Sequence, residues 1–306
     1  MTINVLTSET INKIAAGEVV ERPLNVVKEL IENSLDACAS SISIEILQAG
    51  KKLIRIADNG IGMDKEDLKL SVLRHATSKI ADFNDLTQIQ SLGFRGEALS
   101  SIASVSKFEM MTRKRGYESG WKLKTEGGKN IEIMPAALAE GTICEVNDLF
   151  FNTPVREKFL KADSTEKTRI VSIVEEIMLA NSEVSFKLIL DGKTVLNAVK
   201  TDNKIDRISS VLGKDFALNL KTLKLNPQKA DIEIFFTDRD HCLTNRKYQY
   251  FFVNSRPVNI PKWLMHSISS AYKESIPHDK FPGFLIYIVI DPSEIDVNIH
   301  PTKREI

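Results

Sequence analysis

The sequence predicts an α+β protein made of two domains that each combine helices with strands. An amphipathic helix is expected at 23–37, and alternating strands follow at 42–47 and 53–58. The short polar segment 200–204 separates this part from a second group of helices and strands. With 306 residues, of which 42% are hydrophobic, the chain can bury a large core and is too apolar to be disordered.

The first helix has one apolar face and one polar face. Pro23 suits the first helical position, where a missing N–H costs nothing. Glu29 and Asn33 are four residues apart on the polar side, so their side chains project from adjacent turns toward one point. A carboxylate can take a proton from an attacking water, and an amide oxygen can coordinate Mg²⁺. The pair suits phosphoryl transfer to water; an ordinary solvated face is the alternative interpretation.

The strand 53–58 ends in an acid that is followed by a glycine-rich turn. Asp58 alternates in phase with Ile56, so its carboxylate is expected on the apolar side of the strand. A buried carboxylate needs a hydrogen-bond donor, and an adenine amino group is one candidate. A turn in which Asp58 binds its own backbone is the other interpretation. Gly60 and Gly62 would let the backbone approach a flat ligand closely.

Two further segments carry groups that suit phosphate. The segment 74–79 places the hydroxyls of Thr77 and Ser78 beside a lysine, and the glycine-bracketed loop 93–96 leads into a helix. Exposed backbone N–H groups and helix N-termini attract phosphate. The polar stretch 80–92 between the two segments is expected to form a lid. Ordinary loop and surface functions are the alternatives for both segments.

The downstream elements follow from the same periodicities. The turn at Asp191-Gly192 predicts a hairpin. The segment Gly192-Lys193-Thr194 is not a P-loop, because the glycine expected five residues earlier is missing. The other predicted elements are a strand at 141–151, a helix from Val155, a helix at 165–180, hairpin strands at 185–190 and 194–199, a helix at 205–213, strands at 231–237, 248–254 and 283–290, and a helix at 262–274.

Cysteine content and charge exclude several classes of protein. The three scattered cysteines contain no CxxC pair, which argues against a disulfide framework or a zinc site and predicts reduced thiols in a cytosolic protein. No signal peptide or membrane-spanning run is expected. Because the formal net charge is zero, any nucleic-acid contact would need local basic patches, although most charge runs are solvated faces. The candidate patches are Arg113-Lys114-Arg115, Arg156 with Lys158 and Lys161, and Lys262.

These motifs resemble, in order, the nucleotide-binding motifs of the GHKL ATPases, the superfamily of gyrase, Hsp90, histidine kinases and the MutL mismatch-repair proteins. The segments 14–23, 74–79, 93–99 and 298–303 are similar to MutL signatures in particular. The resemblance runs from end to end of the chain and implies the N-terminal ATPase region of a MutL protein. A linker and a C-terminal dimerisation domain are then expected to follow in the parent protein.

The resemblance also implies a fold. A Bergerat-type α/β sandwich, the GHKL ATP-binding domain, would occupy 1–200 with a lid at 74–100. A smaller α/β domain like ribosomal protein S5 domain 2 would occupy 204–306. Cys38 and Ser255 stand where the family usually has glycine, and each is expected to alter a local turn, because a side chain disfavours positive φ.

Each motif receives a role from the resemblance. Glu29 would be the general base, Asn33 would ligate Mg²⁺, and Asp58 would receive the adenine amino group. Lys303 would reach the γ-phosphate from the second domain. The other positions that it assigns to nucleotide binding are Asn59, Gly60, Gly62, Met63, Thr77, Ser78, Lys79, Gly93, Phe94, Arg95, Gly96, Glu97, Ala98, Leu99 and Thr142.

The implied function is a Mg²⁺-dependent ATPase that acts as a slow molecular switch in DNA mismatch repair. It would form a homodimer on binding ATP, clamp DNA and couple mismatch recognition to downstream factors. The implied partners are single- and double-stranded DNA, bound weakly and without sequence preference through residues near Lys262, the mismatch-recognition protein MutS, and a downstream helicase or endonuclease. The implied compartment is the bacterial cytosol, with no membrane partner.

Three other functions are the alternatives. A GHKL kinase would need a phosphoacceptor helix, and none of the five histidines lies in a convincing one. A non-catalytic nucleotide-binding module would use the same pocket without turnover. A topoisomerase- or chaperone-like GHKL ATPase is disfavoured, because the lid sequence and the segment 93–99 resemble MutL.

Overall fold

A computed structural model describes residues 17, 19–77, 96–273 and 275–295. These residues form two compact units. The first unit takes the described residues up to 200 except 175–182, and the second takes 175–182 and those after 200. No helix in the described part of the chain has the length and apolar character that crossing a bilayer requires.

The first unit is built on an eight-stranded mixed sheet. Its strands are β1 (Ser41–Leu47), β2 (Leu53–Asp58), β3 (Lys107–Arg113), β4 (Gly120–Glu126), β5 (Lys129–Ala136), β6 (Gly141–Asn147), β7 (Ser185–Leu190) and β8 (Lys193–Ala198). Their order in the sheet is β5-β4-β3-β6-β2-β1-β7-β8. Only the β1–β7 pair is parallel among these neighbours. The predicted strands at 42–47 and 53–58 are confirmed, as is the hairpin that joins β7 to β8.

Helices connect the strands of this part of the chain. They are α1 (Pro23–Asp36), α2 (Lys65–Ser71), α3 (Ala98–Ser104), α4 (Pro154–Phe159) and α5 (Asp163–Ala180). Of these, α1 packs on β2, α2 on β4, and α3 on β3 and β4. Alternate residues of β1 and β2 are buried, which gives the sheet an apolar side. The side chains of Val27, Leu30 and Ile31 supply the buried face of α1. The predicted helix beginning at Pro23 is therefore confirmed.

The predicted strand at 141–151 is too long. The strand β6 ends at Asn147, and the chain then turns through Asp148 and Phe150, whose φ angles are 48° and 70°. Extended backbone cannot continue through such left-handed residues. The strands β3, β4 and β5 have no counterpart among the predicted elements. The solvent-exposed pattern of β5 gives little apolar alternation by which to recognise it.

The second unit is a five-stranded sheet with helices. Its elements are α6 (Lys204–Leu212), α7 (Lys214–Leu218), β9 (Leu220–Leu225), β10 (Ala230–Thr237), β11 (Gln249–Val253), β12 (Arg256–Pro257), α8 (Lys262–Tyr272) and β13 (Phe284–Ile290). The strand order is β12-β11-β13-β10-β9. The amphipathic helix α8 packs on a core that includes Phe251, Phe284 and Ile286. The predicted helices at 205–213 and 262–274 and the three predicted strands of this part are confirmed within two residues at each end.

Candidate nucleotide site

The start of α1 is anchored to the rest of the first unit. Arg22, the residue before the helix, donates its backbone N–H to the Asn25 side chain at 2.9 Å. Its guanidinium donates to Glu166 Oε1 at 2.8 Å. The Glu166 side chain is only 2% exposed, so this charge pair is shielded from solvent. This pair ties the start of α1 to α5. Removing one partner would leave the charge of the other buried and unpaired, which is strongly destabilising.

The end of α1 is held by a Schellman motif. The backbone N–H of Cys38 donates to Leu35 O at 2.9 Å, and that of Ala39 donates to Ser34 O at 3.1 Å. This geometry puts Cys38 in the left-handed region, with φ of 57°. Ser255 likewise has φ of 60° in the turn between β11 and β12. The expectation that both residues alter their turns is wrong, because each keeps the conformation that glycine favours.

Between these two ends, α1 presents Glu29 and Asn33 on its partly exposed side. Glu29 lies one turn before Asn33, about 6 Å along the helix axis. Within the described part of the chain, no hydrogen bond or ion pair engages the Glu29 carboxylate. A carboxylate in this condition is able to accept a proton from a bound water.

The Asp58 carboxylate lies at the end of β2 and is held from both sides. Oδ1 accepts the Gly60 backbone N–H at 2.9 Å, and Oδ2 accepts the Ser34 hydroxyl at 2.8 Å. Asp58 therefore agrees with both interpretations from the sequence. It binds the backbone of its own turn, and it lies on the apolar side of the strand, against α1. A carboxylate has four lone-pair positions, so these bonds leave capacity for a further donor.

Burial is the main influence on the ionisation of Asp58. It raises the pKa of Asp58 above its ordinary value, while hydrogen bonds from Gly60, Ser34 and the Thr142 backbone act in the opposite direction. The neighbouring thiol of Cys144 also has a raised pKa because it is buried. A partly buried carboxylate with capacity for another hydrogen bond suits a ligand that donates one.

Three polar residues form one row across the sheet. Asp58 on β2 lies opposite Thr142 on β6, and Thr142 lies opposite Thr112 on β3. Directly opposite residues in antiparallel strands point to the same side, so the three side chains share a face. Thr112 and Thr142 are buried, and their hydroxyl oxygens are 3.1 Å apart. Thr112 and Ser34 were not predicted as site residues, although a lone hydroxyl on the apolar side of α1 was a usable signal for Ser34.

The loop after Asp58 is hydrogen-bonded to the end of α1 and to Thr112. The Ile61 N–H donates to Ala37 O at the end of α1, at 2.9 Å, and the Met63 N–H donates to Thr112 Oγ1, also at 2.9 Å. Gly62 between them has φ of 63°, and any Cβ there would overlap the carbonyl group of Arg113. The loop therefore needs glycine at this position. Asn59, by contrast, uses its side chain to bind the backbone N–H groups of Ser40 and Ser41.

Each predicted phosphate segment is described only in part. Thr77 and Gly96 to Leu99 are described, and Gly96, with φ of 63°, lies against the backbone of Ala76. The His75 ring and the Glu97 carboxylate are 3.5 Å apart. These contacts bring residues 75–76 and 96–97 together. The predictions for Ser78, Lys79, Gly93, Phe94, Arg95 and Lys303 lie outside the described residues.

The predicted basic patches have different surroundings. Lys114 pairs with Asp64 at 2.8 Å, and the Arg115 N–H donates to Ile61 O, so this run supports the loop at 61–63. Lys158, Lys161 and Lys262 are exposed. Exposure leaves them able to meet a phosphate backbone, although it does not distinguish a DNA contact from a solvated lysine.

Sequence comparisons give the family. A family model described as "Histidine kinase-, DNA gyrase B-, and HSP90-like ATPase" matches residues 21–149, and one described as "DNA mismatch repair protein, C-terminal domain" matches residues 208–306. The solved structure "Aquifex aeolicus MutL ATPase domain complexed with ADP" is 31% identical, and the match covers 90% of this chain and 94% of that one, with a TM-score of 0.67. The chain belongs to the MutL family of DNA mismatch repair proteins.

Other MutL relatives extend the match. A DNA mismatch repair protein MutL of Endomicrobium trichonymphae is 64% identical over 306 residues, which is all of this chain and 51% of that protein. The MutL of Clostridium acetobutylicum is 43% identical over 306 residues. The chain thus spans about half the length of the curated relatives it matches. The expected fold class, a GHKL-type ATPase domain followed by a smaller α/β domain, is confirmed.

Proposed function

We propose that this chain binds ATP with Mg²⁺ in the site at α1 and the end of β2, and that it hydrolyses ATP slowly. The observation that carries the proposal is Asp58, a carboxylate fixed by Ser34 and Gly60 and aligned with Thr142. The matched structure from Aquifex aeolicus is described as complexed with ADP. The Asp58 carboxylate has capacity for a further hydrogen bond, which an adenine amino group would donate.

The sequence of residues along α1 supports one orientation of the nucleotide. Ser34 contacts Asp58 directly, Asn33 is its neighbour on α1, and Glu29 lies one turn further from Asp58 along the helix. A nucleotide whose base meets Asp58 would thus have its phosphates near Asn33 and Glu29. Thr77 and the residues from Gly96 to Leu99 would then surround the phosphates with hydroxyl and backbone N–H groups.

Asn33 fits the role of a magnesium ligand. Its amide oxygen is a hard, neutral donor, and Mg²⁺ commonly takes few protein ligands together with phosphate oxygens and waters. No cluster of three or more His, Cys, Asp and Glu side chains suited to a metal occurs among the described residues. A bound Mg²⁺ would neutralise charge on the phosphates. Glu29 would orient the attacking water and accept its proton.

The proposed ATP site would function in a larger assembly. We propose that ATP binding associates two copies of the chain, that Lys303 and the lid at 74–100 contact the phosphates, and that hydrolysis releases them. The domains would be 1–200 and 204–306. The partners would be DNA, bound weakly and without sequence preference, MutS, and a downstream helicase or endonuclease, in the bacterial cytosol. The family membership supports this assignment over a kinase or a topoisomerase part.

Nucleotide binding and turnover test the proposal together. Equilibrium titration of the chain with ATP should show one site per chain whose affinity falls when EDTA removes Mg²⁺. Release of phosphate should be slow but measurable, and the mass in solution should double with a non-hydrolysable ATP analogue. Binding without turnover would instead indicate a non-catalytic module. No binding of ATP at all would overturn the proposal.

A further inference from the structure

We propose that Trp263 is a stacking residue for single-stranded DNA, and that lysines on the same face of α8 hold the phosphates of that strand. The inference rests on the DNA partner in the proposed function. It names the form of DNA that this surface prefers and the side chain that gives the preference. The outer face of α8 is defined by five exposed residues, Lys262, Trp263, His266, Ser270 and Lys273.

The indole of Trp263 is open to solvent. Trp263 is 69% exposed, and within the described part of the chain no hydrogen bond or ring contact engages its indole. The packing of α8 does not require this side chain, because Leu264, Met265 and Ile268 already lie against the core of the second unit. A large aromatic ring is therefore available to a ligand.

Helical geometry places basic side chains beside this ring. At about 100° per residue, Lys262, His266 and Lys273 fall within about 40° of one another around the helix axis, and Trp263 lies within about 100° of each. A rise of about 1.5 Å per residue separates the two lysines by about 16 Å along the axis. A strand that runs along the outer face of α8 would thus meet a lysine at each end of the helix.

The charge of the segment favours a polyanion over a protein surface. The segment 256–273 contains no Asp or Glu, although the whole chain has 41 of them and a formal net charge of zero. Lysines bind phosphates as point charges, whatever the base sequence. The neighbours of Trp263 on the outer face of α8 are charged or polar, so this face lacks the contiguous apolar patch that a protein partner would bury.

The indole distinguishes a single strand from a duplex. Paired bases in a duplex are stacked on one another, whereas the bases of a single strand can be splayed out onto an aromatic ring. Phosphates are present in both forms, so the lysines contribute affinity to both. Trp263 would therefore supply the preference for single strands, and Lys262 and Lys273 the general affinity.

Substitutions of Trp263 and Lys262 separate these two contributions. At low ionic strength, Trp263→Ala should weaken binding to a single-stranded oligonucleotide about tenfold and should leave the affinity for the corresponding duplex unchanged. Trp263→Phe keeps an aromatic face and should retain most of the single-strand affinity. Lys262→Ala should weaken binding to both forms and reduce the salt slope by about 1. Fluorescence anisotropy of labelled DNA measures all of these affinities.

The emission of the indole provides a readout that a merely structural role would not move. The chain has two tryptophans, so Trp121→Phe leaves Trp263 as the only one. In that variant the single strand should quench the emission, and the duplex should have much less effect. Leu218→Ala is the matched control, because it removes an apolar side chain of the second unit that is 82% exposed. It should change neither affinity.

The possible failures differ from one another. Unchanged single-strand affinity in folded Trp263→Ala, or an equal loss for both forms of DNA, would overturn the inference and leave DNA as a partner. Emission that shifts with protein concentration and not with DNA would identify this face as a contact between copies of the chain, which also overturns it. If the wild-type chain binds ATP but neither form of DNA, the DNA partner in the proposed function fails, and the inference fails with it.

Discussion

The two ends of the candidate site are built in different ways. At the base end, Asp58, Thr142 and Thr112 come from three adjacent strands, and each side chain already has hydrogen-bond partners within the protein. At the phosphate end, Glu29 and Asn33 come from a single helix and project from its partly exposed face.

This difference separates recognition from chemistry. The base end is pre-organised by the sheet, so its residues should govern affinity and the choice of base. In the proposed function the helix face would contribute groups that act on the reacting atoms, so its residues should govern turnover. Ser34 joins the two ends, because it belongs to α1 and binds Asp58.

Glu29→Ala should give the largest effect. Without the general base, kcat should fall at least about 100-fold, whereas the dissociation constant for ATP should change little. Glu32→Ala is the matched control, because Glu32 lies on the same helix and pairs with Lys28. Phosphate release and equilibrium binding measure the two quantities. Unchanged turnover in Glu29→Ala would exclude Glu29 as the base.

Asp58→Asn should have the next largest effect, at the other end. Replacing the carboxylate by an amide weakens a charge-assisted hydrogen bond to the base, so ATP affinity should fall about 30-fold or more. Asp148→Asn is the control, because Asp148 binds Lys52 and Lys107 in a turn on the first unit. Titration calorimetry would measure both variants. Full affinity in Asp58→Asn would place the base elsewhere.

Ser34→Ala tests the link between the two ends. It removes the hydroxyl that lies 2.8 Å from Asp58 Oδ2, so ATP affinity should fall about fivefold through loss of one hydrogen bond. Ser106→Ala removes a buried serine hydroxyl that donates only to a helix carbonyl, and affinity should not change. Equal affinities in the two variants would show that Ser34 does not support the base end.

The pH dependence of stability reports on Asp58. Because burial raises the pKa of Asp58, the folded chain binds that proton more tightly than the unfolded chain. The resulting stability is present below the ordinary pKa and is lost as pH rises through the folded pKa. The free energy of unfolding of Asp58→Asn, relative to wild type, should therefore increase as pH rises above about 4. Urea titrations at several pH values would measure it, and a constant difference would contradict the assignment.

Cys38→Gly should have the smallest effect and should leave both ends intact. Glycine relieves the left-handed strain at the end of α1, so the free energy of unfolding should rise by up to about 1 kcal/mol. Ser255→Gly should behave similarly in the turn after β11, where Asn254 also has positive φ. Cys38→Ala keeps a Cβ and should give no such gain. Urea denaturation with unchanged ATP affinity is the expected result.

The sequence predicts the structure well where the spacing of apolar residues over a few positions determines the local element. The alternation of β2 places Asp58 on the apolar side, and the helical period of α1 places Glu29 beside Asn33, as the structure shows for both elements. Turn chemistry likewise predicts the hairpin at Asp191 and Gly192.

The sequence does not reveal which strands, distant along the chain, pair with each other in the sheet. Thr112 reaches Thr142 across 30 residues, and only the β3–β6 register brings them together. The strand β3 itself was not predicted, so its inward hydroxyl could not be placed in the site. Cys38 shows a different limit, because the contacts at the end of α1 override the local preference against positive φ.

A crystal structure of this chain with ADP and Mg²⁺ tests the central claim most directly. The account predicts the adenine amino group within hydrogen-bond distance of Asp58, the base against Thr142, and the metal and phosphates beside Asn33 on α1. A nucleotide bound elsewhere, or one whose phosphates point away from α1, would contradict it.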